Sequence, residues 1–249
     1  MTKRAVAALT LALLLCRPGP AGAIVNGKEV TESDWYAHAV VGISMIDDKG
    51  REGACTGTLL TPRIVLTAAH CIAHMKTVSV VFDFKIGNAH KVVATKTVIN
   101  PDFIDKENQI NPGDLAIVFL PSHNYPTAVV PLDGDLTFTE GQQFVILGYG
   151  RSKATRFRSS GVLRKAAIGA TGEDTPREVA LRPLTDAWPC DGDSGGPVLR
   201  KDMSGHYAVS GVMSTVYAGP TGECLFDGSF MTPVHTYADW IKTTMAEGQ

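Results

Sequence analysis

Apolar residues in this chain arrive in short runs broken by turn residues, and that cadence constrains the fold more than any other feature. From residue 24 onward the runs include Ala39–Ile43, Thr58–Leu60, Ile64–Thr67, Val78–Phe82, Val92–Val98 and Leu115–Leu120. They continue through Gln143–Leu147, Gly161–Ile168, Val179–Leu181, Pro197–Leu199, Ala208–Met213 and Phe230–Thr232. Such spacing predicts an all-β sandwich or barrel. One segment differs: Tyr237, Trp240, Ile241 and Met245 recur at helical spacing, which predicts an amphipathic helix packed on the strands. Pro121–Asp135, with three prolines and few sustained apolar runs, is read as a link between two halves. The chain carries no internal repeat and no low-complexity tract.

Residues 1–23 belong to a different kind of sequence. Lys3 and Arg4 precede an apolar stretch from Ala5 to Cys16, Pro18-Gly19-Pro20 breaks any helix, and Ala21-Gly22-Ala23 is a small-x-small cleavage signal. This predicts a secretory signal peptide. The apolar stretch is too short to span a bilayer comfortably, and the bulky Leu15 before Cys16 argues against a lipoprotein. Residues 24–249 then carry 20 basic and 25 acidic residues, a formal charge of −5. Neither a nucleic-acid partner nor stable membrane insertion is expected. Export places the chain outside the cell, or in the periplasm of a bacterium, where Cys55, Cys71, Cys190 and Cys224 are expected as disulfides. Four cysteines allow three connectivities, among which the sequence alone does not choose. No Cys-x-x-Cys pair exists, so a metal site is not expected.

Three separated pieces carry chemistry. Gly192-Asp193-Ser194-Gly195-Gly196-Pro197 holds a serine among glycines, Thr67-Ala68-Ala69-His70-Cys71 supplies a histidine, and Asp114 opens the apolar run Leu115–Leu120. A serine hydroxyl is a poor nucleophile unless a base takes its proton, and the base needs a third group to hold its tautomer. In the order His70, Asp114, Ser194 these pieces resemble the chymotrypsin/trypsin family of serine peptidases, and the resemblance covers nearly the whole chain after residue 23.

The resemblance implies two six-stranded antiparallel β-barrels, roughly residues 24–130 and 131–235, with the active site between them. A C-terminal helix over roughly residues 235–246 follows. It also implies a secreted endopeptidase forming an acyl-enzyme on Ser194, without cofactor or metal, acting on protein or peptide substrates and open to protein inhibitors. Asp114 is preferred over Asp102 and Asp105, which lie in the polar loop before it. The backbone N–H groups of Gly192 and Ser194 are the expected oxyanion donors, and Ser214 the expected partner of Asp114. Cys55 is expected to pair with Cys71, and Cys190 with Cys224. Ile24-Val25-Asn26-Gly27 resembles the family's mature amino terminus, whose ammonium pairs with the acid before the nucleophile, here Asp193. Relatives carry Lys or Arg before that isoleucine. This chain carries Ala23, so export and activation are expected to be one cut; the competing reading is an earlier cut that leaves Arg17–Ala23.

By the same resemblance Trp188, Val216 and Ser229 line the primary specificity pocket. A tryptophan where trypsin has a carboxylate, and a β-branched residue in place of glycine, predict a narrow pocket for small or apolar side chains. If the following loop shifts by two residues, Asp227 could restore a basic preference; for it and Glu223 a solvated surface loop is the expected place.

Two other functions compete. Gly192–Gly196 also fits the Gly-x-Ser-x-Gly elbow of esterases and lipases. That fold needs the order Ser, acid, His on a doubly wound sheet, and only His206 and His235 follow Ser194, without alternating strand–helix units. A catalytically weak binding protein on a peptidase scaffold is the second, kept open by a pocket that Trp188 blocks. His70 and His74 stand four apart but lack the glutamate of a His-Glu-x-x-His zinc motif.

Overall fold

Two sheets divide the chain near residue 130. The structure, a computed structural model, describes residues 23–86, 91–105, 112–122, 128–134, 137–155, 159–175, 177–202 and 204–248. Of the expected signal peptide, residues 1–23, all but Ala23 lies outside them. In the first half the strands are β1 (Lys28–Glu29), β2 (Val40–Asp47), β3 (Glu52–Thr61), β4 (Ile64–Thr67), β5 (Met75–Val81), β6 (Lys91–Val93), β7 (Lys96–Ile99) and β8 (Ala116–Phe119). In the second they are β9 (Gln143–Gly148), β10 (Arg164–Thr175), β11 (Glu178–Pro183), β12 (Pro197–Lys201), β13 (Tyr207–Ala218) and β14 (Cys224–Pro233).

The hairpin β2–β3 shows how local chemistry sets register. The Asp47 carboxylate accepts the N–H groups of Lys49 and Arg51 at 2.9 and 2.8 Å, and Gly50 supplies the positive φ of 77° that closes the turn. From this hairpin a sheet in the order β6-β5-β2-β3-β4-β8-β7 curls into a half-barrel. The second sheet runs β10-β11-β14-β13-β12-β9, and β9 pairs back onto β10, closing a six-stranded barrel. The two barrel-like sheets and the C-terminal helix expected from the resemblance are therefore present. β1 adds to the edge of β10, so the first residues cross to the second sheet.

Strands buried on both faces, such as β4 and β8, contain only apolar or small residues, while Ile43, Leu59, Leu66, Ile117 and Leu147 join one core cluster that spans both sheets. The run Val92–Val98, expected as one strand, is two. At Ala94-Thr95 the chain turns a corner, Ala94 N–H bonding Val78 and Thr95 N–H bonding Phe119, so β6 pairs with β5 and β7 with β8. At the C-terminus a 3₁₀ turn, His235–Tyr237, leads into the helix Ala238–Glu247, which buries Ile241. No helix among the described residues is long and apolar enough to cross a membrane. Disulfides join Cys55 to Cys71 and Cys190 to Cys224.

Candidate active site

Three chain segments meet between the sheets. The one-turn helix α1 (Ala69–Ile72) follows β4 directly and presents His70; the disulfide from Cys71 ties it to β3. Asp114 sits one residue after Gly113, whose φ of +71° allows a turn so tight that a Cβ would lie 2.9 Å from the Asp102 backbone. Ser194 lies on the loop between β11 and β12.

The Asp114 carboxylate is fully buried and fully engaged. Oδ1 accepts the His70 backbone N–H at 2.9 Å; Oδ2 lies 2.7 Å from His70 Nδ1 and accepts the Ser214 hydroxyl at 2.6 Å. Burial alone would raise the Asp114 pKa, but the charge and hydrogen bonds of His70, with Ser214, hold it below the ordinary value. For His70 burial pulls the pKa down, while Asp114, with a smaller push from Asp105, carries it above the ordinary value. Asp102 and Asp105 stay outside this cluster; Asp105 lies 3.4 Å from the exposed His74.

Ser194 Oγ donates to the Ser214 carbonyl at 3.4 Å. The Cys71 sulfur touches both sides of the site, 3.7 Å from His70 Nε2 and 3.8 Å from the Ser194 carbonyl oxygen. Cys55, His70 and Cys71 bring ligand-type atoms within 4.8 Å of one another, but both sulfurs are spent in a disulfide and cannot serve as thiolates.

The loop before Ser194 is fixed by backbone donors. Gly192 has φ +92°, and a Cβ there would lie 2.8 Å from Gly150 Cα. Arg151 N–H holds the Asp191 carbonyl at 2.9 Å, and Gly195 N–H bonds the Met213 carbonyl at 2.7 Å. The buried Asp193 carboxylate accepts Gly150 N–H at 2.8 Å and Cys190 N–H at 2.9 Å, and also meets the Ile24 N–H. Burial outweighs these donors and pushes its pKa up to about 7. Ile24 is itself buried, with φ 49°.

Of the residues expected to line the pocket, Trp188 packs, as does Val216, against the cluster of Val25 with the Cys190–Cys224 bridge. Its indole N–H donates to the Cys224 carbonyl at 3.2 Å, its ring meets Phe226 edge-on at 5.2 Å, and its backbone pairs with Val25. Val216 opposes Ser229 across β13–β14, and the buried Ser229 hydroxyl donates to the Leu181 carbonyl at 3.3 Å. Asp227 is exposed, and Glu223 accepts the Thr221 N–H at 3.1 Å in its own turn.

Some neighbours of the site carry no sequence signal. Arg151, largely buried, pairs with the Asp191 carboxylate and donates to the Gly222 carbonyl at 3.2 Å, linking the Ser194 loop to the turn before Cys224. Glu178 has a buried oxygen without a hydrogen-bond partner among the described residues; burial, with the charge of Asp114, raises its pKa to about 7. Both are long-range placements that no motif encodes.

A family profile described as Trypsin matches residues 24–241. Serine protease 7 of Drosophila melanogaster is 25% identical over 267 residues, covering 89% of this chain and 65% of that relative, so the chain spans less than two thirds of its length. Neutrophil elastase of Mus musculus is 27% identical over 257 residues, covering 98% of this chain and 90% of the relative. Chymotrypsin of Phaedon cochleariae is 26% identical over 244 residues, covering 90% and 83%.

Proposed function

The chain belongs to the trypsin family, and from that premise we propose that it is a secreted serine endopeptidase working through His70, Asp114 and Ser194. The observation that carries the reading is the buried Asp114 carboxylate, engaged by the His70 ring, the His70 backbone and Ser214. With Nδ1 donating to Asp114, Nε2 of the neutral imidazole is left to accept a proton. The Ser194 hydroxyl leaves its long bond to Ser214, attacks a peptide carbonyl and passes its proton to Nε2. Asp114 stabilises the imidazolium, and the charge on the carbonyl oxygen develops opposite the N–H groups of Gly192 and Ser194. His70 then protonates the leaving amine, and water repeats the sequence to release the acid.

Specificity follows from the pocket. Trp188, Val216 and Ser229 supply bulk and no carboxylate, so a Lys or Arg side chain would bury a cation without a countercharge. Small apolar side chains suit the space better. Maturation by one cut before Ile24 is supported by the burial of Ala23, whose N–H bonds the Val162 carbonyl at 3.0 Å. Once the second barrel has formed, a protease has no access to that bond, whereas a cut during export precedes folding.

A fluorophosphonate probe tests the assignment. Labelling of the secreted protein at Ser194, lost in Ser194→Ala, is expected together with cleavage of a peptide library. A folded protein that neither labels nor cleaves would be a binding module instead. Sequencing of its amino terminus is expected to begin at Ile24; any other start would overturn the single cut.

A further inference from the structure

Thr56 stands directly after Cys55 on β3, wholly out of water, and each of its polar groups is engaged. Its backbone N–H donates to the Ser194 carbonyl at 2.8 Å. Its hydroxyl donates to the Gly192 carbonyl at 2.8 Å and accepts the Tyr149 N–H at 3.1 Å. Its own carbonyl accepts the Thr67 hydroxyl at 2.8 Å, on the strand that leads to His70. One residue of the first sheet thus holds the carbonyls of both Gly192 and Ser194.

We propose that the Thr56 hydroxyl is a positioning group for the oxyanion hole, an inference that rests on the reading of Gly192 and Ser194 as its donors. A peptide unit is planar, with C=O and N–H pointing in opposite directions. The Arg151 N–H, by holding the Asp191 carbonyl, therefore turns the Gly192 N–H the other way. That leaves the plane after Gly192, and glycine gives it no steric preference of its own. Thr56 holds that plane at its Gly192 carbonyl and the Cys190 carbonyl holds it at its Asp193 N–H, at 3.0 Å, so both peptide units flanking the Gly192 Cα are anchored. Tyr149, Gly150 and Arg151 reinforce the arrangement, giving their successive N–H groups to Thr56 Oγ1, Asp193 Oδ1 and the Asp191 carbonyl. Without the hydroxyl, the half-buried Gly192 carbonyl loses its partner, the plane is held only by its Asp193 N–H, and a shift of the glycine is the cheapest way to restore a partner. Because the two planes meet at the Gly192 Cα, a shift of the second displaces that Cα and with it the Gly192 N–H that faces the developing charge.

The test compares Thr56→Val, which keeps the shape and loses the hydroxyl, with Thr56→Ser, which keeps the hydroxyl and loses the methyl. Active sites are counted with a fluorophosphonate, and kcat, KM and inhibition by a peptide aldehyde are measured on the purified mature protease. A displaced oxyanion donor costs roughly 10- to 100-fold in kcat, so Thr56→Val is expected to fall by that factor with KM little changed. Aldehyde affinity, which also depends on an oxyanion, falls with it, and Thr56→Ser stays near the parent. A folded Thr56→Val with the parent's kcat would overturn the proposal, as would Thr56→Ser slowed equally, since packing would then be the cause. If Thr56→Val does not fold, Thr56→Ala carries the same comparison without added apolar bulk, and parental kcat in that variant overturns the proposal. A folded parent that neither cleaves peptides nor reacts with the fluorophosphonate would overturn the proposed function itself.

Discussion

His70 is held between opposing effects: burial drives its pKa down, Asp114 brings it above the ordinary value, and Asp105 adds a smaller push in the same direction. A general base works only when neutral, so kcat/KM rises with pH through that pKa. Asp105→Asn removes one upward push, and the acid limb of the profile is expected to move to lower pH. Because Asp105 is half exposed, the displacement should shrink as salt is added. Profiles at low and high ionic strength measure this, and an unmoved limb at low salt would leave Asp105 a bystander. The segments that carry Ser194 and His70 are legible as motifs, since Gly192–Pro197 and Thr67–Cys71 are each contiguous in the chain. The influence of Asp105 on His70 is not legible, because no local pattern encodes its distance from a ring reached through a different strand. Ser194→Ala is expected to lower kcat by roughly 10⁴- to 10⁶-fold with the fold intact, and His70→Ala by a similar factor. The double variant should be no slower than the worse single one. Losses that multiply would mean the residues do not act as a unit.

At the scale of elements, sequence reasoning succeeded where a strand is buried on both faces, because an unbroken apolar run such as Ile64–Thr67 or Leu115–Leu120 has few other uses. It missed β1, since Lys28 and Glu29 carry no apolar signal and owe their strand to the edge of β10. It merged β6 with β7, since the corner at Ala94-Thr95 is made by distant carbonyls on β5 and β8. Cysteine pairing stayed open from spacing alone, since loop closure by itself favours no partner strongly. The proposed pocket is likewise a property of elements: the bulged pairing of β13 with β14 sets Val216 opposite Ser229, and Trp188 and Val216 both pack on the cluster around the Cys190–Cys224 bridge. The parent enzyme is expected to cleave after Ala or Val and poorly after Lys or Arg. Trp188→Gly should raise kcat/KM for larger apolar side chains, each added methylene in such a pocket being worth about 1–3 kcal/mol. Profiling a peptide library with both forms measures the change. Efficient cleavage after Arg by the parent would overturn the pocket reading and return attention to Asp227.

Across the whole molecule the amino-terminal segment is embedded in the second barrel. Ala23 bonds Val162, Val25 pairs with Trp188, and Arg164 donates to the Gly27 carbonyl, so Ile24 lies buried with its N–H against Asp193. While residue 23 is attached, Asp193 meets a neutral amide at Ile24 and its pKa is raised from 3.8 to about 7. A carboxyl whose folded pKa lies above its unfolded value contributes stability that is full below the unfolded pKa and is lost as pH rises toward the folded one. The uncut chain should therefore weaken between pH 4 and pH 7 on account of this group. Cutting before Ile24 replaces the amide by an ammonium, which favours the ionised carboxylate, lowers the Asp193 pKa and removes that loss. It also removes an unfavourable torsion, since φ of 49° at a β-branched residue is defined only while the preceding peptide is present. Two forms carrying Ser194→Ala, one beginning at Ile24 and one retaining Ala23 behind an initiator methionine, make the comparison without self-cleavage. Their melting temperatures should lie close together near pH 4 and diverge toward pH 7, the Ile24 form being the more stable. Melting curves that run parallel across that range would show that the ammonium does not reach Asp193, and that the Ser194 loop is held by backbone donors alone.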